Sequence, residues 1–298
     1  MCGIVGLFLK DEGLESSLGQ LLTGMLVTLS DRGPDSAGIA VYEAKPSNHD
    51  KLTVQSAQPD VDFPALASRL EREQGLQVGL RRVDTHAVLS CAGADLGKLE
   101  ALLQGEFPQL RTMSRGNRIE IFKEKGLPSD VAEAFDVPAM AGSHGIGHTR
   151  MATESAVTTL GAHPFSTGPD QCLVHNGSLS NHNFLRRELQ REGLRFETEN
   201  DTEVAAAYLS WKLKQGANLG EALEASIEDL DGFYTFLVGT ETGFGVLRDP
   251  IACKPAVLAE TEQYVAFGSE YRALAGLPGV EQAKVWEPEP ATVYFWER

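Results

Sequence analysis

The chain opens Met1-Cys2-Gly3-Ile4-Val5-Gly6-Leu7-Phe8-Leu9, and residues 3–9 predict a buried strand. Cys2 stands immediately before it and becomes the N-terminal residue once the initiator Met is removed. Its thiol and its own α-amino group then sit on one residue, a nucleophile with a base attached. A free thiol, with a pKa of about 8.5, is only a few per cent thiolate at neutral pH. An α-amino group titrates near about 7.7–8.0 and is available to take the proton. Ser–His and N-terminal Thr systems follow the same rule of pairing a weak nucleophile with an adjacent base. Read alone, the cysteine also fits a small apolar residue at the start of a strand.

Outward from this strand, Leu14, Leu18, Leu21, Leu22, Met25, Leu26 and Leu29 recur at helical spacing. Arg32-Gly33-Pro34-Asp35 predicts a turn and residues 37–42 a second strand. Strands at 86–91 and 118–123 with helices at 95–104 and 128–135 give a β-α-β-α pattern over about 75–140. A short strand at 171–175 ends in His175-Asn176-Gly177. Helices follow at 179–192 and 201–215, then several strands between Phe233 and Phe267 and a last one near 291–296. Many strands, with helices in separate blocks, predict an α+β protein.

Composition narrows the function classes. Of 298 residues, 42% are hydrophobic, ordinary for a globular protein. The net charge of −16 disfavours phosphate backbones and anionic lipid, so neither a nucleic-acid nor a membrane partner is expected. The sequence shows no apolar run long enough to span a bilayer and no basic signal-peptide n-region, so the expected location is cytoplasmic. Cys2, Cys91, Cys172 and Cys253 form no C-x-x-C pair, so spacing supports neither a metal site nor a disulfide framework. The last three are expected to be buried small residues. Gly142-x-x-Gly145-x-Gly147 departs from the phosphate-loop pattern, and His144 with His148 lacks the Glu of a zincin motif.

Five short motifs follow Cys2-Gly3-Ile4-Val5-Gly6 in order: Arg32-Gly33-Pro34-Asp35-Ser36-Ala37-Gly38, Gly147-His148-Thr149-Arg150-Met151-Ala152-Thr153, His163-Pro164, His175-Asn176-Gly177 and Asn200-Asp201-Thr202-Glu203. Together they resemble the class II glutamine amidotransferases, which belong to the N-terminal-nucleophile hydrolases. The resemblance runs from Cys2 to about Tyr271 and implies a four-layer α-β-β-α sandwich over residues 2–298. Compact relatives place the His-Thr-Arg motif much closer to the cysteine, so 75–140 reads as an insertion beside the catalytic core or as a decorated loop region.

The resemblance implies a glutaminase in which Cys2 attacks the side-chain carbonyl. The Asn176 amide and the Gly177 N–H would stabilise the oxyanion, although Asn-Gly is also the commonest tight-turn pair. Arg150 matches the position that grips the substrate α-carboxylate, where the bidentate fork matters. Asp201 matches the partner of the substrate ammonium. Asn200 with Glu203 makes a capping-box pattern, leaving Asp201 to face the pocket. Thr153 and His163 match pocket-lining positions, and His163 equally suits a structural histidine. Met151 stands where many relatives have an aromatic, and Glu154-Ser155 where many have His-Gly. Asp249-Pro250 and Lys254-Pro255 resemble a late family signature, read as scaffold.

About 20–30 residues remain after the last glutaminase motif, too few for an acceptor domain. The expectation is a free-standing subunit that passes ammonia to a partner chain. The opening, the Asp31–Gly38 segment and the insertion are most similar to the amidotransferase subunit of N-methylglutamate synthase and glutamate-synthase-like complexes. That likeness implies no cofactor in this chain, with flavin and iron–sulfur clusters on partner subunits. A regulatory subunit that keeps the fold without turnover is the other reading. An N-terminal-cysteine acylase for other amides fits less well, because the Arg150–Asp201 pair asks for a free amino acid.

Overall fold

The computed structural model describes residues 2–152 and 156–298. In chain order it runs β1 (Gly3–Leu9), α1 (Leu18–Thr28), β2 (Ser36–Tyr42), β3 (Asp50–Gln55), α2 (Pro59–Arg72), β4 (Val78–Val83), β5 (His86–Cys91) and α3 (Leu96–Glu106). There follow β6 (Arg111–Gly116), β7 (Ile119–Lys125), α4 (Pro128–Ala134), β8 (His144–Arg150), β9 (Phe165–Gly168), β10 (Gln171–Leu179), α5 (His182–Arg191), α6 (Asp201–Lys214) and α7 (Leu219–Asp229). The chain closes with β11 (Gly232–Gly239), β12 (Gly243–Arg248), β13 (Val257–Glu260), β14 (Tyr264–Gly268), β15 (Lys284–Trp286) and β16 (Thr292–Glu297).

A seven-stranded sheet ordered β15-β13-β14-β1-β8-β2-β7 faces a five-stranded sheet ordered β16-β12-β11-β10-β9. The alternation of β1 shows why its apolar run is unbroken, since a strand covered on both faces needs apolar residues on both. Val5, Leu7 and Leu9 pack toward α1, whereas Ile4 and Phe8 join the layer between the sheets. That middle layer also holds Tyr42, Ile121, Ile146, Val174, Leu237 and Phe267. Leu189 of α5, the Val204–Leu209 stretch of α6 and Leu223 of α7 cover the outer face of the five-stranded sheet. Three apolar interfaces in series make the expected α-β-β-α sandwich. No helix among the described residues is long and apolar enough to cross a membrane.

A third, four-stranded sheet, β4-β5-β3-β6, lies outside this stack. With α2 and α3 it forms a β-α-β-β-α-β module, the split βαβ arrangement. Its own core joins Leu52, Val54, Phe63, Leu66, Leu89, Leu99 and Leu103. The module spans 50–116 rather than 75–140; of the expected elements only β5 and α3 belong to it, joined by α2 and the strands β3, β4 and β6. The shift has two causes. Polar residues and Pro64 obscure the apolar stripe of α2. Strand β7, read as part of the insertion, instead pairs along its length with β2, from Ser36↔Lys125 to Tyr42↔Ile119, and so belongs to the main sheet. Helix α4, likewise placed in the insertion, contributes Val131 and Ala132 to the α1 layer.

Candidate active site

The two facing sheets bring the motif residues together at the ends of β1, β8 and β10. Cys2 immediately precedes β1. It is half-buried, and its Sγ lies 3.8 Å from the Met151 carbonyl oxygen. Its own carbonyl accepts two side-chain hydrogen bonds, from Arg32 Nε at 2.9 Å and Asn176 Nδ2 at 3.1 Å. Because a carbonyl only accepts, the amide must present its nitrogen to Cys2, which fixes the orientation of Asn176. The Asn176 nitrogen also donates to Ser269 Oγ at 3.2 Å.

Gly177 has φ +142°, and a Cβ there would sit 1.9 Å from the Phe233 carbonyl oxygen. Only glycine lets β10 pass β11 at that point. Along β8, Ile146 faces the opposing sheet, as do His144 and His148, which reach the carbonyls of Thr240 and His175. Gly145 and Gly147 face α1, where a Cβ would meet Leu22 at 2.8 Å and Leu26 at 3.0 Å. The glycine-rich run therefore makes room for a helix, and the two histidines share a face because they lie on a strand.

Arg150 ends β8 and is 8% exposed. Its backbone is tied to the Arg32–Asp35 turn, since Asp35 N–H donates to Arg150 O at 3.1 Å. The Asp35 carboxylate in turn accepts from Ala152 N–H at 2.8 Å and holds the strand exit. Gly161 lies against the Arg150 guanidinium, and Asn200 Nδ2 reaches the Gly161 carbonyl at 3.5 Å, linking Arg150 to the start of α6. Asp201 stands in the first turn of α6. One carboxylate oxygen accepts from Leu179 N–H at 3.0 Å and the other lies 3.7 Å from His175 Nδ1.

The capping pattern at α6 differs from the expected one. Asn200 caps Thr202 N–H at 2.9 Å, but Glu203 turns away to take the N–H groups of Glu197 at 2.7 Å and Thr198 at 2.8 Å. Cys253 is exposed, against the expectation that it is buried, because it follows the Asp249–Pro250 turn at the surface; Cys91 and Cys172 are buried. Asp249 is buried and accepts from Ile251 N–H at 2.9 Å and Ala252 N–H at 3.2 Å, consistent with a scaffold role. Thr153 lies outside the described residues.

His163 is buried and stacked on His148 with ring centroids 4.1 Å apart. The two rings hold one residue by its two flanking peptides: His163 Nδ1 accepts from His175 N–H at 3.4 Å, and His148 Nε2 donates to His175 O at 3.3 Å. The backbone entering Asn176 is thus held on both sides. Sequence reading missed Lys123, which stands behind this cluster. Its Nζ donates to the carbonyls of Leu160 at 3.2 Å, Ala162 at 2.8 Å and Pro164 at 3.1 Å, fixing the loop that carries His163. Burial pushes its pKa down to about 7, while three acceptors match the three protons of its charged form. A lysine in register with Ile119 and Ile121, on the inward face of a strand, was the available signal.

Burial drives the imidazoles of His86, His144 and His148 down to about 3 and that of His163 well below its ordinary value. Their folded forms are neutral, and the unfolded chain protonates near pH 6.5. Below that pH the unfolded state binds more protons than the folded one, so stability rises with pH there and is fully present above about 6.5. The urea midpoint should therefore fall between pH 7 and pH 5, before most carboxylates titrate. A flat or rising midpoint across that window would contradict neutral buried histidines.

Among the described residues, no group of three or more His, Cys, Asp or Glu is placed to hold a metal ion. A glutamine amidotransferase domain family matches residues 148–276. The glutamine amidotransferase-like protein GlxB of Rhizobium meliloti (strain 1021) is 64% identical over 297 residues, covering 100% of this chain and 98% of that protein. The isomerizing glutamine–fructose-6-phosphate aminotransferase of Vibrio vulnificus (strain YJ016) is 40% identical over 113 residues, 38% of this chain and 18% of that one. Among solved structures, the glutamine phosphoribosylpyrophosphate amidotransferase from B. subtilis superposes with a TM-score of 0.64 at 20% identity. That likeness, which concerns the fold, covers 99% of this chain and 47% of the other. With a full-length relative at this identity and the sandwich fold in hand, the chain belongs to the class II glutamine amidotransferases.

Proposed function

We propose that this chain hydrolyses the side-chain amide of glutamine through Cys2 and hands the ammonia to a synthase subunit. The observation that carries the reading is the convergence on Cys2: the Asn176 amide holds its backbone carbonyl, and its thiol faces the carbonyl of Met151, the residue after Arg150. With Met1 removed, the Cys2 α-amine takes the thiol proton and the thiolate attacks the amide carbon. The oxyanion is stabilised by Asn176 Nδ2 and the Gly177 N–H. The amine returns the proton to the leaving nitrogen, ammonia departs and a thioester remains. Water then hydrolyses the thioester, yielding glutamate and free Cys2. Arg150 takes the substrate α-carboxylate and Asp201 its ammonium; the motif assigns Thr153 to substrate binding, and His163 supports the backbone that leads into Asn176.

The acceptor reaction is assigned to a partner. The sandwich and the β-α-β-β-α-β module account for the sheets of the described residues. The sequence likeness favours a flavin- and iron–sulfur-bearing synthase of the N-methylglutamate synthase or glutamate-synthase-like type. Ammonia released into water is protonated and lost to the acceptor, a physical reason to couple turnover to assembly.

The test is a glutaminase assay on the chain alone and on the complex drawn from its native extract. Equimolar glutamate and ammonia should appear in both, faster in the complex, with the chain eluting at high mass in the extract. A monomer with full, partner-independent turnover would remove the partner and leave a simple glutaminase. Absence of glutamate release from either preparation would remove the glutaminase itself.

A further inference from the structure

Two adjacent residues just beyond β14, Ser269 and Glu270, stand behind the two groups that hold Cys2. Ser269 is 2% exposed, and its Oγ accepts from Ile4 N–H at 2.9 Å and from Asn176 Nδ2 at 3.2 Å. It thereby ties the amide of β10 to the backbone of β1, across the two sheets. The Glu270 carboxylate pairs with the Arg32 guanidinium and with Arg272 Nε at 2.6 Å, and Arg272 continues outward to Asp31 at 2.6 Å. Arg32 is 8% exposed; it places Nη1 on Glu270 and Nε on the Cys2 carbonyl. The planar guanidinium fixes the angle between those two bonds, so the position of Glu270 is transmitted to Cys2.

We propose that Ser269 and Glu270 are positioning residues for glutamine hydrolysis, Ser269 acting through the Asn176 amide and Glu270 through Arg32 on the Cys2 carbonyl. The inference rests on the reading of Cys2 as nucleophile. Each arm ends on the same carbonyl, one from β10 and the other from the turn before β2, and the two begin on neighbouring residues just beyond β14. Displacing a reacting group by about 1 Å costs on the order of 10²-fold in rate, so small rearrangements here matter. Arg32, and then Arg272, hold the Glu270 carboxyl below its usual range.

Ser269→Ala removes one acceptor of the amide, and Glu270→Gln removes the charge that orients Arg32. Each should lower kcat for glutamine by about 10- to 100-fold with KM within twofold of the parent. Ser269→Thr, which keeps the hydroxyl, should recover most of the loss. A second readout needs no partner subunit. Labelling of Cys2 by a diazoketone analogue of glutamine should slow in step with kcat, while labelling by iodoacetamide, which reads only thiol reactivity, should change less than threefold. Folded Ser269→Ala and Glu270→Gln proteins with kcat within threefold of the parent would overturn the proposal, as would a loss carried by KM. Should Ser269→Ala fail to fold, Glu270→Gln decides alone. Cys2→Ala is the control that separates the two failures. If it stays active, the reading of Cys2 falls; if it is inactive while both variants are normal, only the positioning roles fall.

Discussion

Cys2→Ala should abolish glutamine hydrolysis, a loss on the order of 10⁴-fold or more, the scale on which removal of a nucleophile is felt. The fold should be untouched. The thiol's contact within the protein is a long one, 3.8 Å to Met151 O, and the side chain is half-buried, so truncation creates no closed cavity. The Cys2 backbone keeps the hydrogen bonds from Arg32 and Asn176, because both end on its carbonyl rather than on its side chain. A glutamine-analogue electrophile should add one label, on Cys2. Exposed Cys253 supplies an internal control, since a merely reactive reagent would find it first. Residual turnover above a few per cent, or a label on Cys91, Cys172 or Cys253, would move the nucleophile elsewhere. Retention of Met1 predicts the same inactivity as Cys2→Ala, because the α-amine that serves as base would then be an amide nitrogen.

What the sequence disclosed followed a physical pattern. Strand β1 was legible because both of its faces are apolar, and α1 because its stripe is regular. The order of motifs pointed to the family because they cluster in turns and at the ends of strands and helices, where local chemistry is written in a few consecutive residues. The module at 50–116 was only half visible. In strand β4 the apolar Val78, Leu80 and Val83 are only half-buried and Arg81-Arg82 interrupts the alternation, and α2 carries a proline within its length. Long-range partners left no local mark. Nothing in the run Gly268-Ser269-Glu270 states that its hydroxyl meets Asn176 or that its carboxylate meets Arg32; only the sheet register, with Gly268 opposite Val5, brings them to Cys2. Asp201 was read correctly as lying beyond the cap, yet its bond to Leu179 N–H depends on where β10 ends.

Asn176→Ala should lower kcat by about 10²–10³-fold with little change in KM, the effect of losing one oxyanion donor. In the free protein both amide protons are engaged, on Cys2 O at 3.1 Å and Ser269 Oγ at 3.2 Å. The oxyanion must therefore displace one of two neutral acceptors. Exchanging a neutral acceptor for an anionic one strengthens the bond only as charge develops, and such an interaction raises kcat rather than substrate affinity. The structural cost of the substitution is smaller. Cys2 O keeps Arg32 and Ser269 Oγ keeps Ile4 N–H, so the lost hydrogen bonds should cost about 1–2 kcal/mol of stability, against about 2.7–4 kcal/mol of transition-state energy. Asn176→Asp separates the two effects. Its ionised carboxylate would face the Cys2 carbonyl, acceptor against acceptor, and repel the oxyanion. It should be worse than Asn176→Ala at pH 7.5 and should gain on it as the pH falls and the carboxyl takes up a proton that it can donate. Parallel kcat–pH profiles for the two variants, or an Asn176→Ala enzyme within threefold of the parent, would place the oxyanion on other donors.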